Sequence, residues 1–202
     1  MAIRIINQPA IEPVTLARAK EHLRVDHSFD DAMISAMISG SRRFAEKFMG
    51  RAIITQTWEL VIDSFPDNEI EIPLPPLQSV ESIKYDDAGG LETTLSPSAY
   101  TVDNVSEPGW VVPIPSGWPS NLFNGINAVR IRYVAGFTPS ANSPVDLADN
   151  VPASIKSAIL LHVGSLYAQR ESFVVGTTVV DVPQSVGILH LLRQYRVALG
   201  MA

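Results

Sequence analysis

The spacing of apolar residues changes twice along this chain, and the changes divide it into three parts. Between Met33 and Phe48 apolar residues recur at helical spacing, as they do on one face of a helix. After Gly50 they alternate with polar residues, as in strands, and helical spacing returns after residue 151. Helices and strands are thus segregated along the sequence. This order predicts an α+β fold, because a doubly wound parallel sheet needs the two to alternate.

Two helices are predicted in the first part of the chain. Thr15 is a suitable N-cap for the first helix. The second is predicted to start at a capping box formed by Ser28 and Asp31, and Gly50 is expected to end it.

Residues 52–137 are predicted to form a compact, mostly antiparallel β unit, because short apolar segments alternate with loops rich in Pro, Gly and Asn. A half-buried strand near residues 57–63 is expected to pair with a strand at 70–74 as a hairpin across Pro66-Asp67-Asn68. Further strands are predicted at 100–102, 110–112 and 128–134, the last with Val129, Ile131 and Tyr133 facing inward.

The proline-rich stretch at residues 73–76 admits two interpretations. It has the P-x-x-P spacing of polyproline ligands, but such ligands usually carry a flanking Lys or Arg, whereas this neighbourhood is acidic. The start of a strand is favoured, because proline cannot donate to a sheet ladder. The next strand is irregular between Val80 and Ile83, which predicts a bulge. Residues 86–90, DDAGG, predict a hairpin loop.

The last part of the chain is predicted to contain two helices. Pro152 suits the first turn of one helix, which is expected to run to about Glu171. Residues 172–186 are apolar and β-branched with a glycine and a proline, so their state stays open. The final helix has an apolar face that consists of Leu189, Leu192, Tyr195 and Leu199.

The chain is therefore interpreted as a single α+β domain. Its helical scaffold has two N-terminal helices in residues 1–51 and two C-terminal helices in residues 151–202, and residues 52–137 form a β-rich insertion.

Composition excludes several classes of protein. The 202 residues include no cysteine, which rules out disulfide frameworks, thiolate zinc sites and cysteine nucleophiles. The net charge of -6 is uneven, with +2 in residues 1–51, -10 in 52–150 and +2 in 151–202. Such an acidic middle would repel nucleic acid, which disfavours a DNA-binding role. No apolar run has the length of a membrane span or the pattern of a signal peptide, so a soluble, unexported protein is expected.

The motifs that usually indicate an enzyme are absent from the sequence, including phosphate-binding glycine loops, zinc-protease motifs and the hydrolase nucleophile elbow. The best group of metal-ligating residues consists of His22, Asp26, His27, Asp30 and Asp31. We favour an acidic helix start for this group, because the helix dipole stabilises carboxylates there.

The remaining titratable residues give no catalytic arrangement. His162 lies on an apolar helix face, which favours a hydrogen-bonded core or interface histidine over a catalytic base. Asp86 and Asp87 are adjacent in a turn, so their side chains are expected to diverge and not to act as an acid–base pair. The chain is predicted to have no catalytic residue, metal or cofactor, and not to be an enzyme.

Several segments, in this order, resemble the head-tail connector (adaptor) proteins of long-tailed bacteriophages. They cover nearly the whole chain and are PVTLARAKEHLRVDHSFDDAMI at 13–34, GRAIITQTWELVIDSFP at 50–66, IPLPPLQSVESIKYDDAGG at 72–90, SAYTVD at 98–103, AVRIRYVAGF at 128–137 and VPASIKSAILLHVGSLYAQRE at 151–171. A Leu-rich terminal helix with Tyr195-Arg196-Val197 follows. No single motif is diagnostic alone, but the ordered set is fairly specific.

The resemblance implies a structural virion protein, assembled in the host cytoplasm and located in the neck between head and tail. Adaptors of this kind form a closed ring of about twelve copies beneath the portal after DNA packaging. The ring extends the DNA channel and offers a surface to a stopper or tail-completion protein. The expected partners are other copies of the chain, the portal protein and the stopper, while DNA passes through without specific binding and no membrane is involved.

The resemblance also suggests where contacts lie. In related adaptors the C-terminal region can contact the portal, which points to Leu189, Leu192, Tyr195 and Arg196. The apolar segment 173–182, which includes Phe173, Val174 and Val175, is expected to become ordered against a neighbouring subunit or the portal. The acidic hairpin tip with Asp86 and Asp87 is expected to face a neighbour in the ring or the next neck protein.

Three other functions are retained as alternatives. A stopper or tail terminator belongs to the same class, but the long second helix and the C-terminal helix pair favour an adaptor. A DNA-binding packaging factor is disfavoured by charge. A hydrolase that uses His162 is the last alternative.

Overall fold

The computed structural model describes residues 1–137, 148, 150–169, 173–174, 180–181 and 186–197. The chain divides into two compact units, which we call unit 1 and unit 2. Unit 1 comprises Met1–Ala10 and Ile54–Thr138, and unit 2 comprises Ile11–Ile53 and Pro139–Ala202. The described α-helices all lie in unit 2, while unit 1 is built from strands and one short 3₁₀ helix at Pro97–Ala99, and this arrangement confirms the α+β class.

The strands of unit 1 form two antiparallel sheets. The strands are β1 Ala2–Asn7, β2 Gln56–Ile62, β3 Ile70–Ile72, β4 Leu77–Asp86, β5 Glu92–Thr94, β6 Tyr100–Asp103, β7 Gly109–Pro113 and β8 Val129–Ala135. The larger sheet has the order β1-β2-β8-β4-β5 and the smaller has the order β3-β7-β6. The strands predicted near residues 100, 110 and 128 are confirmed.

The core of the larger sheet lies on the face that β8 shares with its two neighbours. In the register of the sheet Leu60 of β2 and Ile83 of β4 both lie opposite Ile131, and Tyr133 lies opposite Trp58. Leu60, Ile83, Ile131 and Tyr133 are each at most 1% exposed. Burying such side chains contributes roughly 1.5–3 kcal/mol each. The inward alternation predicted for β8 is confirmed.

The predicted hairpin between the first two strands of the β unit is wrong. β2 pairs with β1 on one edge and with β8 on the other. Because a strand has only two edges, β2 has none left for β3, which pairs with β7 in the smaller sheet. β2 is also buried on both faces, not half-buried: the carboxylate of Glu59 on its polar face is covered by Arg4 and Arg132.

Strand β1 was not predicted from the sequence. Its residues Ala2–Asn7 are mostly exposed, and the alternation in Ile3-Arg4-Ile5 is short and is broken by Ile6. Its partner β2 lies more than fifty positions away along the chain, opposite Arg4 at Glu59. The pairing therefore depends on a tertiary contact that a local pattern does not contain.

The prediction for the proline-rich stretch is confirmed. β4 begins at Leu77, directly after the prolines, and its pairing with β8 shifts register between Val80 and Ser82, which is the predicted bulge. The hairpin to β5 follows, with Gly90 at a φ of 79° that favours glycine.

Unit 2 contains four described helices and a small two-stranded pairing. The helices are α1 Leu16–Leu23, α2 Asp31–Met49, α3 Ala153–Ala168 and α4 Val186–Arg193, and β9 Phe173–Val174 pairs with β10 Val180–Asp181. Thr15 caps α1 through its side chain, which accepts from the Arg18 amide at 3.2 Å, and Gly50 ends α2 at a φ of 70°.

Three predicted helix boundaries need correction. The capping box at Ser28 does not form, because Lys20 binds the Asp31 carboxylate at 2.7 Å and α2 begins at Asp31. Helix α3 ends at Ala168, before Glu171. Helix α4 ends at Arg193, so Tyr195 follows the helix, and Leu199 lies outside the described residues.

A buried arginine ties together the first segment of unit 2 and helix α2. The Arg42 side chain is 3% exposed and donates to Glu12 and to Glu46, in each case at 2.7 Å. Glu46 also accepts from the amide of Ile53 at 3.1 Å. Removing one partner of such a buried pair typically costs about 3–5 kcal/mol, because the other charge is left uncompensated.

Two glycines are expected to respond in opposite ways to alanine. A Cβ at Gly136 would lie 2.4 Å from the backbone of Ile54, and its φ is 120°, so Gly136→Ala should destabilise the chain by more than about 2 kcal/mol. Gly40 lies inside α2, and a Cβ there would meet no atom within 4 Å, so Gly40→Ala should stabilise by about 0.5–1 kcal/mol. Urea unfolding of both variants would measure this, and an unchanged midpoint for Gly136→Ala would contradict the clash.

Candidate assembly surfaces

The tip of the β4–β5 hairpin is the first surface predicted to make contacts. Lys84 pairs with Glu92 at 2.7 Å, and Arg130 of the adjacent β8 pairs with both Asp86 and Glu92. These four residues form one ion-pair cluster across three strands. Asp86 is therefore neutralised by Arg130 and is not a free charge at the tip.

The cluster keeps its carboxylates ionised. The hydrogen bond from Arg130 is the main cause that lowers the pKa of Asp86, and the hydrogen bond from Lys84 is the main cause that lowers the pKa of Glu92. A carboxylate with a lowered pKa in the folded state adds stability above its unfolded pKa. That contribution is lost as the pH falls through the folded pKa.

Asp87 shapes the loop itself. Its Oδ1 accepts from the amide of Gly89 at 2.9 Å and from the amide of Leu91 at 3.0 Å. The two aspartates thus have separate structural roles, one in the ion-pair cluster and one in the turn. Both residues are only partly exposed.

Three apolar side chains at or near this tip are exposed as well, which was not predicted from the sequence. Leu91 is 69% exposed, Phe123 45% and Ile126 80%. The loop that carries Phe123 lies beside the hairpin, because the Phe123 amide donates to the Asp86 carbonyl at 2.9 Å. The only sequence feature that could have indicated these exposed residues is that several Gly- and Asn-rich loops each contain an apolar residue.

The C-terminal segment is the second surface predicted to make contacts. Leu192 is 0% exposed and packs inside unit 2, so its side chain offers no surface on the single chain. Leu189 and Tyr195 are half-buried and Arg196 is exposed. Arg196 lies over the ring of Phe48, 5.8 Å from its centroid.

Two backbone contacts hold this segment against the end of α2. Arg51 is 7% exposed and its Nε donates to the carbonyl of Tyr195 at 2.8 Å. The amide of Val197 donates to the carbonyl of Met49, also at 2.8 Å. The orientation of Tyr195 and Arg196 therefore depends on a buried guanidinium.

The third predicted contact segment is described only in part. Phe173 and Val174 form β9, which pairs with Val180–Asp181, and nothing is described of their side chains. Val175 lies outside the described residues.

His162 has the environment of a structural histidine. Its Nδ1 is 3.0 Å from the Ser41 hydroxyl, and its ring stacks on Phe44 with centroids 4.6 Å apart. Burial lowers its pKa, so it is neutral at pH 7. These contacts confirm the expectation of a hydrogen-bonded histidine.

The acidic residues around the start of α2 bind protein groups. Asp31 pairs with Lys20, and Asp30 accepts a hydrogen bond from the Tyr167 hydroxyl at 2.6 Å. Across the described part of the chain, no three His, Asp or Glu residues come close enough to hold a metal ion. No described helix is long and apolar enough to cross a membrane.

Arg130→Met tests the hairpin cluster. We expect the pKa values of Asp86 and Glu92 to rise towards their ordinary values, because the variant removes a cation that binds both. Carboxyl NMR titration would measure the change. Arg132→Met is the matched control, since Arg132 pairs with Glu59 and should leave both values unchanged. Unchanged titration in Arg130→Met would contradict the assignment.

Arg51→Met tests the anchor of the C-terminal segment. A hydrogen bond from a charged donor contributes about 1.5–3 kcal/mol, so amide exchange at Val197 should accelerate by about tenfold or more. Hydrogen-exchange mass spectrometry would measure it. Arg18→Met, which loses only an exposed pair with Glu21, should leave that exchange rate as it is. Equal rates in the two variants would argue against the anchor.

Comparison with known proteins gives one family match. Residues 13–98 match the model of a family described as "Phage gp6-like head-tail connector protein". No curated protein is similar enough to count as a match.

Solved structures with the same fold come from particles of a gene transfer agent (GTA). A chain from the "Neck of empty GTA particle computed with C6 symmetry" has a TM-score of 0.77 at 18% identity, and the match covers 97% of this chain and 95% of that one. A chain from the "Neck of native GTA particle computed with C12 symmetry" has a TM-score of 0.75 at 17% identity, with the same coverage. Residues 13–98 thus carry the sequence pattern of the gp6-like head-tail connector family, and the chain as a whole has the fold of these neck chains.

Proposed function

We propose that this chain is a structural protein of a virion neck. It forms a ring between the portal and the tail or stopper, completes the head after DNA packaging and extends the DNA channel. It acts by assembly and carries out no reaction.

The observation that carries this proposal is the extent of the structural match. It covers 97% of the chain at a TM-score of 0.77, so it includes both units, whereas the family model covers only residues 13–98. The matched chains come from particle necks described with C6 or C12 symmetry, which supports a cyclic arrangement of copies here.

Two surfaces are assigned to the neighbours of the ring. The C-terminal segment contacts the portal through Leu189, Tyr195 and Arg196, which are all at least partly exposed, and the hydrogen bond from Arg51 fixes the backbone at Tyr195. The hairpin tip contacts the next neck protein or a neighbouring copy. Its contact area is the apolar group around Leu91, with Asp86 and Asp87 holding the loop in shape.

The charges of unit 1 suit a channel that must release DNA. Unit 1 has four basic residues, and each is in an ion pair with a carboxylate. Its eleven acidic residues therefore leave a large negative excess, which disfavours contact with phosphates. This excess also makes unit 1 a poor candidate for a DNA-binding surface.

Negative-stain electron microscopy of the purified chain, alone and with its portal protein, tests the proposal. We expect closed rings on the portal, since a ring that forms on its partner need not form alone. The matched control is the portal without the chain. A chain that neither forms rings nor binds the portal would contradict the proposed function.

A further inference from the structure

The outer face of the smaller sheet of unit 1 has an apolar centre with an acidic rim. Residues that alternate with the buried Ile70, Ile72 and Val111 point to this face. We call it the acidic patch, and its members are Glu69, Glu71, Asp103, Trp110 and Val112. Trp110 is half-buried and Val112 is 40% exposed.

Two carboxylates of the rim are available to a partner, and a third is held by the chain itself. Glu69 and Glu71 are exposed, and neither makes an ion pair with any residue in the described part of the chain. A hydrogen bond from the Ser106 side chain is the main cause that lowers the pKa of Asp103, and its bonds from the amides of Val105 and Ser106 lower it further, so it stays ionised. A tryptophan and an aliphatic residue inside a charged rim are typical of the centre of a protein–protein interface.

Helix α2 of unit 2 presents a surface of the opposite charge. Arg43 and Lys47 are exposed one turn apart, and Phe44 and Phe48 lie half-buried beside them with ring centroids 6.5 Å apart. We call these four residues the basic patch. Neither Arg43 nor Lys47 makes an ion pair with a described residue. The unpaired cations here match the unpaired carboxylates of the acidic patch, and the half-buried rings of Phe44 and Phe48, the latter beneath Arg196, supply apolar surface at the border of the basic patch.

We propose that the acidic patch of one copy docks on the basic patch of a second copy. The proposal rests on the proposed ring function and names the surfaces that build it. Because the two patches are different surfaces of the same chain, each copy that binds one neighbour keeps the other patch free for the next. Such a head-to-tail contact gives a ring when the rotation closes.

Charge complementarity favours a second copy of the chain as the partner of the acidic patch. The acidic patch needs a cationic partner with apolar surface, and the chain itself supplies one at the same stoichiometry. A stable interface buries roughly 800 Å² on each partner, so the two patches form the centre of the contact and not its whole area.

The absence of cysteine from the chain allows a clean cross-linking test. One variant carries Glu71→Cys and another carries Lys47→Cys, and the two full-length proteins are mixed at low salt and oxidised, alone and on the portal. We expect a mixed disulfide between positions 71 and 47 at least tenfold above a control pair. The control pairs Glu71→Cys with Arg18→Cys, which places the second thiol on an exposed position of α1.

A charge swap tests the specificity of the contact. Adding Glu69→Lys to the Glu71→Cys variant places a cation opposite Arg43, and cross-linking to Lys47→Cys should fall by about tenfold. Adding Arg43→Glu to the Lys47→Cys variant should then restore it, because an opposite pair is formed again. Circular dichroism of each variant would verify that it is folded.

The outcomes separate this inference from the proposed function. Rings by microscopy without the 71–47 disulfide would overturn the inference and leave the neck function intact. Disulfides mainly between like positions would indicate a face-to-face dimer and also overturn it. If Glu69→Lys leaves the rings unchanged but abolishes binding of another neck protein, the acidic patch serves that protein and the inference is wrong. If Arg43→Glu leaves the rings unchanged but abolishes binding to duplex DNA, the basic patch serves DNA and the inference is also wrong.

Discussion

The pairing of β2 with β8 is the contact on which unit 1 depends. It joins Gln56–Ile62 to Val129–Ala135 over seven residue pairs, although the two segments are more than sixty positions apart. On one face it aligns Leu60 with Ile131 in the core. β1 then adds to the free edge of β2, and β4 adds to the free edge of β8. The pairing of β2 with β8 therefore joins the two parts of the larger sheet, β1-β2 and β8-β4-β5.

The opposite face of the same strands concentrates the basic residues of unit 1 in ion pairs. Glu59 is nearly buried between Arg4 and Arg132, and Arg130 binds the two carboxylates of the hairpin cluster. Since each of these cations is paired with a carboxylate, the remaining carboxylates set the net charge of the surface. The smaller sheet is the clearest example, with Glu69 and Glu71 on its outer face and in no ion pair with a described residue.

Unit 2 uses charge differently. Its buried Arg42 is compensated twice, by Glu12 and Glu46, and so holds the chain before α1 against α2. The exposed cations of α2, Arg43 and Lys47, have no carboxylate partner among the described residues. Unit 1 thus has an excess of acidic residues, and unit 2 has unpaired basic residues on α2. This arrangement is expected of a subunit that binds copies of itself, because opposite charges attract at the complementary patches. Like charges repel when the same surfaces of two copies meet, which disfavours other contacts.

The sequence by itself determined the kind and order of most elements, with β1 as an exception. The change from helical to alternating spacing located α2 and the β unit, Thr15 and Gly50 marked helix ends, and the DDAGG loop marked a hairpin, because each of these signals is local. Only the tertiary structure decided which strands pair. β3 belongs to the second sheet, and β1 pairs with β2. Asp86 pairs with Arg130, and Leu192 is buried. These outcomes depend on contacts between strand edges, charges and apolar faces that are far apart along the chain. The hairpin tip and the C-terminal surface were predicted as segments, but the exposure of Leu91 and the existence of the acidic patch could be found only from the tertiary structure.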